Sequence, residues 1–137
     1  MTFLLDTNVV SEPRRRKSEP NVVAWLRDQD PDLLFISVLT LGEISRGAET
    51  RGRRDPDAGR SLSVWLGTIR SGYADRVLAV TADIAETWGR AGARRPLPVI
   101  DGLLAATALV HRLTLVTRNV RDFDGLGVRL LDPWQAG

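Results

Sequence analysis

The sequence of 137 residues contains no cysteine and only one histidine, His111. The absence of cysteine excludes disulfide bonds and thiolate metal sites, and a single histidine excludes any multi-histidine metal centre. No apolar run approaches the roughly 20 residues that a membrane-spanning helix needs, and the opening apolar segment is too short for a signal peptide. The sequence therefore predicts a cytoplasmic protein whose metal ligands, if it has any, are oxygen atoms.

Lysine is nearly absent too, since Lys17 is the only lysine among 19 basic residues. A genome-wide bias toward arginine codons is the simpler explanation, but arginine also binds phosphate bidentately and stacks on bases. Charge runs are often solvated loops, and they also line nucleic-acid paths. Both interpretations apply to three clusters: Arg14-Arg15-Arg16-Lys17, Arg51/Arg53/Arg54 and Arg94-Arg95.

Short apolar runs alternate with helical patterns along the chain. We predict strands over residues 3–5, 33–37, 77–80, 114–117 and 128–131, and helices over residues 21–27, 40–51, 61–72, 82–93 and 101–112. Strands without polar alternation, interleaved with helices, indicate a parallel sheet that is covered on both faces. We therefore predict a single α/β domain over residues 1–137, with three α/β/α layers and a central parallel sheet of about five strands.

Four acidic residues follow closely on short apolar runs: Asp6, Glu43, Asp101 and Asp122. Ligands of a parallel sheet bind beyond the carboxyl ends of its strands, so we expect these carboxylates to share one crevice. An all-oxygen set of this kind suits a hard divalent cation such as Mg²⁺ or Mn²⁺.

Each carboxylate also has a purely structural explanation. Asp6 matches an Asx turn that caps a helix, and Glu43 matches a capping box with Thr40. Asp101 is placed to cap the helix that follows it, and Asp122 to close a tight turn. However, carboxylates in one crevice raise one another's pKa, a cost that capping does not require and that a divalent cation removes. The joint pattern therefore favours a metal site.

Four segments resemble the four motifs of the PIN domain. They are Leu4-Leu5-Asp6-Thr7-Asn8-Val9-Val10-Ser11, Ser37-Val38-Leu39-Thr40-Leu41-Gly42-Glu43, Asp101-Gly102-Leu103-Leu104-Ala105-Ala106-Thr107-Ala108 and Thr117-Arg118-Asn119-Val120-Arg121-Asp122-Phe123. More narrowly, the chain resembles the VapC-type ribonuclease toxins of bacterial toxin–antitoxin pairs, in the subgroup similar to FitB. The closing Leu131-Asp132-Pro133-Trp134 also fits that subgroup.

The resemblance implies an RNA endonuclease that depends on Mg²⁺, with Mn²⁺ able to substitute. It assigns Asp6 and Asp101 as primary metal ligands, with Glu43 completing the acidic core. Either Asn119 or Asp122 supplies the last position, because Asn119 stands where some members carry aspartate. The remaining candidates orient ligands or contact phosphate: Thr7, Asn8, Ser37, Thr40 and Thr117.

The resemblance also implies partners. They are an RNA substrate, a second copy of the chain in a homodimer, and a cognate antitoxin that joins a hetero-oligomer and alone contacts operator DNA. We expect Trp25, Trp65, Trp88 and Trp134 to serve packing, and His111 to lie at the surface.

Two other functions stay open. One is a PIN-fold module that binds RNA or a partner without efficient cleavage. The other is a phosphatase similar to haloacid dehalogenases, although Asn8 stands where that family needs a second aspartate.

Overall fold

The structure, a computed structural model, describes residues 1–135, and five parallel strands form one sheet within them. The strands are β1 (Phe3–Leu5), β2 (Leu34–Ser37), β3 (Val77–Leu78), β4 (Thr114–Val116) and β5 (Leu130–Leu131). Their order in the sheet is β3-β2-β1-β4-β5. Every pairing is parallel, so all five strands end at the same edge. The predicted sheet is confirmed.

In the described part of the chain, six α-helices connect and cover these strands. They are α1 (Thr7–Ser11), α2 (Pro20–Asp28), α3 (Val38–Gly52), α4 (Pro56–Gly72), α5 (Ala82–Arg94) and α6 (Val99–His111). The sequence pattern did not predict α1, which is only five residues long. Within residues 1–135, no helix has the length and apolar character needed to cross a membrane.

The two faces of the sheet carry separate apolar clusters. Phe3 and Leu5 of β1 contribute to one cluster, and Leu4 contributes to the other, because successive side chains of a strand point to opposite faces. Helices α1, α2 and α4 supply residues to the first cluster, and α6 supplies residues to the second. This arrangement confirms the three-layer prediction.

Two predicted helix starts are wrong. The short apolar run before Asp101 belongs to the helix: Pro98 is the extended N-cap and α6 begins at Val99, so Asp101 lies in the first turn instead of at the N-cap. Similarly, α3 begins at Val38, and its N-cap is Ser37, whose hydroxyl accepts a hydrogen bond of 3.0 Å from the backbone N–H of Leu39. Thr40 therefore lies inside the helix, and the capping box that we predicted between Thr40 and Glu43 is absent.

Helices α3 and α4 approach each other through glycine. A Cβ atom at Gly59 would lie 2.5 Å from the Cα atom of Gly52, so only glycine fits at residue 59. Between these helices, Asp55 caps α4 through the backbone N–H of Ala58, with Pro56 at the first helical position. The connection, residues 53–55, is thus shorter than the gap between the helices that we predicted over residues 40–51 and 61–72.

Candidate active site

Asp6 lies directly after the central strand and is held on three sides. Its backbone N–H donates to the carbonyl of Val116 at the end of β4, at 2.9 Å. Its Oδ1 accepts a hydrogen bond of 2.7 Å from the N–H of Thr7, and its Oδ2 accepts one of 2.8 Å from the hydroxyl of Thr117. Asp6 is thus the N-cap of α1, as predicted, and it remains at the carboxyl edge of the sheet. The contact is not an Asx turn, because the side chain accepts from the next residue and not from the residue after it.

Glu43 is joined to the same edge through Thr7. The Thr7 hydroxyl lies 2.6 Å from Oε1 of Glu43 and 3.1 Å from the hydroxyl of Thr40, which is fully buried. A hydroxyl has one proton and an ionised carboxylate only accepts, so Thr7 donates to Glu43 and accepts from Thr40. Thr7 therefore connects Glu43 to Asp6, because it follows Asp6 directly in the chain and donates to the Glu43 carboxylate.

The charges of all four acidic residues act on one another in pairs: Glu43 acts on Asp6, and both Asp6 and Asp122 act on Asp101. Burial raises the pKa of Asp6, the hydrogen bonds from Thr117 and Thr7 oppose that rise, and the negative charge of Glu43 adds to it. Burial also raises the pKa of Asp101, and the charges of Asp6 and Asp122 raise it further. Mutual repulsion of this kind is what we expected for carboxylates that share a crevice.

The fourth motif reaches the site through a tight turn. The N–H of Asp122 donates to the carbonyl of Asn119 at 3.0 Å, as the turn interpretation predicted. The N–H of Asn119 in turn donates to the Thr117 hydroxyl at 3.1 Å, while the Asn119 side chain is exposed. Since the charge of Asp122 acts on Asp101 and Asn119 carries none, the electrostatics favour Asp122 as the fourth acidic group.

The remaining predicted residues differ in their surroundings. Ser37 is fully buried at the end of β2, and its hydroxyl is engaged in capping α3. The Oδ1 atom of Asn8 is buried and has no hydrogen-bond partner within the described residues. His111 lies exposed in the last turn of α6, as predicted.

The tryptophans mostly serve packing. Trp25, Trp65 and Trp134 pack against the apolar cluster around Phe3, whereas Trp88 is 37% exposed.

The donor chemistry of the site fits a hard cation. Within residues 1–135, no three carboxylate or imidazole side chains lie close enough together to enclose a metal ion by themselves. Magnesium, however, keeps several waters and takes only one or two carboxylates directly. Both oxygens of Asp6 accept one hydrogen bond each, and each oxygen retains a lone pair. Asp6 could therefore still bind such an ion, and Asp101, on which the charge of Asp6 acts, is a carboxylate that could join it.

One acidic residue close to the site was missed. Glu12 is 2% exposed, and its carboxylate accepts hydrogen bonds of 3.2 Å from the guanidinium of Arg15 and from the N–H of Glu19. The sequence signal that could have identified Glu12 is its spacing of three residues from Arg15, which suits an ion pair. Glu12 therefore fixes the segment that carries the first arginine cluster.

Comparison with known proteins extends over nearly the full chain. The PIN domain family matches residues 3–127. The VapC ribonuclease Y4jK of Sinorhizobium fredii is 31% identical, covering 97% of this chain and 98% of its own length. The crystal structure of FitAcB from Neisseria gonorrhoeae superposes with a TM-score of 0.91 at 29% identity, covering 98% of this chain and 100% of that one. A toxin–antitoxin complex from Klebsiella pneumoniae gives a TM-score of 0.72 at 26% identity, covering 98% and 100%.

Proposed function

Because the chain belongs to the PIN domain family, in its VapC-type toxin group, we propose that it is a divalent-metal-dependent endoribonuclease and the toxin of a toxin–antitoxin pair. The observation that carries this proposal is the acidic site around Asp6. Glu43 is joined to it through Thr7, and the charges of Asp6 and Asp122 act on Asp101. The family assignment leaves no support for the phosphatase alternative.

Asp6 and Asp101 would hold the cation, which we propose to be Mg²⁺ with Mn²⁺ as a substitute. When bound, such an ion supplies the positive charge that stabilises the phosphodiester oxygens while water attacks. Asp6 is suited to this role because its position is fixed by Thr7, Thr117 and the end of β4. The buried Thr117 hydroxyl and the backbone N–H of Thr7 keep the carboxylate in one orientation, which is a common requirement of metal ligands.

Glu43 differs from Asp6 in being open to solvent while it accepts the Thr7 hydroxyl. We therefore assign to Glu43 the proton that the attacking water releases. Thr40 has no access to solvent and acts by orienting Thr7. Asp122 lies in an exposed turn, where its carboxylate adds negative charge beside Asp101.

The proposed partners follow from the same family. The similar structure from Klebsiella pneumoniae is a toxin–antitoxin complex, which supports a cognate antitoxin for this chain. We propose that the antitoxin occludes the acidic site, contacts operator DNA for the complex, and joins a homodimer of this chain. Because the proposed substrate is RNA, we propose that the protein acts in the cytoplasm, where translation takes place.

Cleavage of RNA by matched variants tests the proposed function. Asp6→Asn and Asp101→Asn should abolish cleavage, Glu43→Gln should lower its rate by about 100-fold or more, and EDTA should stop the wild type. Asp83→Asn is the control, because Asp83 and Asp101 each lie in the first turn of a helix. Full cleavage by Asp6→Asn, when a mock purification from cells without the protein shows no nuclease activity, would contradict the assignment. RNA binding without any cleavage by the wild type would identify the non-catalytic binding module instead.

A further inference from the structure

A basic cavity of about 790 Å³ lies at the C-terminal end of α1, the short helix that begins at the acidic site. It brings together cations from two of the sequence clusters and one indole ring. The residues that define it here are Ser11, Arg14, Arg16, Lys17, Arg51 and Trp65. We refer to it as the arginine cavity.

Two helices connect the arginine cavity to the acidic site. Helix α1 begins with Thr7, which contacts Glu43, and ends with Ser11, which lines the cavity. Helix α3 carries both Glu43 and Arg51. At 1.5 Å per residue, these separations are about 6 Å along α1 and about 12 Å along α3. A strand of RNA whose scissile phosphate lies at the acidic site therefore has its neighbouring phosphates within reach of the cavity.

The charge in the arginine cavity is mostly uncompensated. Arg15, which also lines it, is paired with Glu12 at 3.2 Å. Within residues 1–135, by contrast, Arg14, Arg16, Lys17 and Arg51 have no carboxylate within 4.0 Å. Several unpaired cations around one concave surface attract a polyanion, and guanidinium groups match the geometry of phosphate oxygens.

One wall of the cavity is already organised. The guanidinium of Arg14 lies 5.1 Å from the centre of the Trp65 ring and donates a hydrogen bond of 2.7 Å to the Ser61 hydroxyl. This arrangement fixes Arg14 against α4 while leaving it exposed to solvent. Guanidinium groups held over aromatic rings are typical of surfaces that bind single-stranded nucleic acids.

We propose that the arginine cavity binds the phosphate backbone of single-stranded RNA beside the cleaved position. Arg14 and Arg51 contact successive phosphates, and the Trp65–Arg14 pair forms the wall along which the strand runs. The inference rests on the proposed function, because it extends the substrate path of the same active site. It adds a binding region that lies outside the four acidic motifs.

Binding of a fluorescently labelled single-stranded RNA 12-mer, measured by anisotropy in the inactive Asp6→Asn background, tests the proposal. Arg14→Gln combined with Arg51→Gln should weaken binding by at least about tenfold, since two charge-assisted contacts are lost. The slope of log K against log salt should become shallower by about 1.4, because each single-strand phosphate contact contributes about 0.7. The control is Arg70→Gln combined with Arg94→Gln, two exposed helical arginines outside the cavity, which makes the same change in net charge.

A second variant guards against local unfolding. Arg16→Gln combined with Lys17→Gln leaves the Arg14–Ser61 hydrogen bond intact and should also weaken binding more than the control does. Equal effects of the cavity and control variants would show that only net charge matters, and would overturn the proposal. So would unchanged RNA binding in both cavity variants.

A competitor distinguishes RNA from an acidic protein segment. Poly-glutamate of matched charge should compete with the labelled RNA much more weakly than unlabelled RNA does. If the cavity variants lost poly-glutamate binding and kept RNA binding, the cavity would be a protein-docking site and the proposal would fail. These measurements require no cleavage, so they can succeed or fail independently of the ribonuclease assignment.

Discussion

The hydroxyl of Thr117 donates a hydrogen bond of 2.8 Å to Oδ2 of Asp6, across a separation of 111 residues in the sequence. Thr117 is fully buried, and its oxygen also accepts the N–H of Asn119. One side chain therefore fixes the first acidic residue and the backbone of the fourth motif. The sequence pattern identified both segments, and this hydrogen bond joins them in the folded protein.

Replacing Thr117 by valine should destabilise the fold and change how the site titrates. The free energy of unfolding at pH 7 should fall by about 1–3 kcal/mol, because a carboxylate oxygen and an N–H lose their partner. The pKa of Asp6 should rise further, because the Thr117 hydrogen bond lowers it. The acidic limb of the cleavage profile should therefore move to higher pH. Thr117→Ser keeps the donor, and equal urea denaturation curves for the two variants would contradict the role of this hydrogen bond.

Removing the charge of Asp101 should stabilise the metal-free protein at neutral pH. The pKa values of Asp6 and Asp101 are raised in the folded state, so these groups favour folding when they are protonated. That contribution is complete below the unfolded aspartate pKa of about 3.9 and is lost as the pH rises through the folded values. In EDTA at pH 7, Asp101→Asn should therefore melt at or above the wild type. Because Asp101 is not the N-cap of α6, no capping hydrogen bond is lost.

A bound divalent cation should reverse the order of stability, so that the wild type melts above Asp101→Asn. At a hundredfold excess over the dissociation constant, Mg²⁺ or Mn²⁺ should stabilise the wild type by about 2.7 kcal/mol and Asp101→Asn by less. Asp83→Asn should respond to metal as the wild type does. Thermal melting of the three proteins with and without metal makes the comparison. A wild type that is indifferent to metal, together with a less stable Asp101→Asn in EDTA, would indicate separate structural carboxylates.

Alanine at residue 59 should be poorly tolerated. Its Cβ would overlap the backbone of Gly52, so α3 and α4 would have to move apart, at a cost of about 1–3 kcal/mol. Gly67 lies in the same helix, and nothing lies within 4 Å of a Cβ there. Gly67→Ala should therefore stabilise the protein by roughly 0.5–1 kcal/mol. Chemical denaturation of both variants checks the contrast, and equal stabilities would contradict backbone contact between the two helices.

The predicted homodimer needs an exposed apolar surface. Trp25 and Trp65 do not supply it, because they pack against the core of their own chain, as the sequence analysis expected. Val38 and Val99, which begin α3 and α6, are 39% and 57% exposed. Val38 also lines a groove of about 560 Å³ together with Glu43 and Ile100. Contact between two copies here would place both acidic sites on a shared groove.

Light scattering of the protein without antitoxin tests this surface. The wild type should be a dimer at micromolar concentration, and Val38→Ser combined with Val99→Ser should shift it toward monomer. Val64→Ser is the control, since Val64 is 73% exposed on α4. A wild type that remains monomeric at high concentration would rule out the dimer. A dimer that survives the double substitution would place the interface elsewhere.

The sheet was predictable because its signal is local. Runs such as residues 3–5 and 114–117 are apolar and lie between polar turns, and they became β1 and β4 within one residue. Helix α1 was not predictable in this way, because five residues with two adjacent valines have weak helix propensity. It forms because Asp6 caps it and because Val9 and Val10 are buried in the core.

The acidic residues were predictable as a set, but their individual environments were not. Ser37 and Thr40 both offer a hydroxyl near the start of α3, and sequence alone does not decide which one caps the helix. The choice depends on where β2 ends, and Ser37 is both its last residue and the N-cap. Thr40 is thereby free to contact Thr7. The arginine cavity depends in turn on the crossing of α3 and α4 at Gly52 and Gly59, a contact with no local signature.

The pairing of β1 with β4 also has a consequence for how the protein is made. Asp6 is synthesised long before the carbonyl of Val116 and the hydroxyl of Thr117 that hold it, since Thr117 follows Asp6 by 111 residues. Asp101 and Asp122, whose charges complete the acidic set, also belong to the last third of the chain. A nascent chain therefore lacks an assembled acidic site until the segment that carries Val116, Thr117 and Asp122 has left the ribosome.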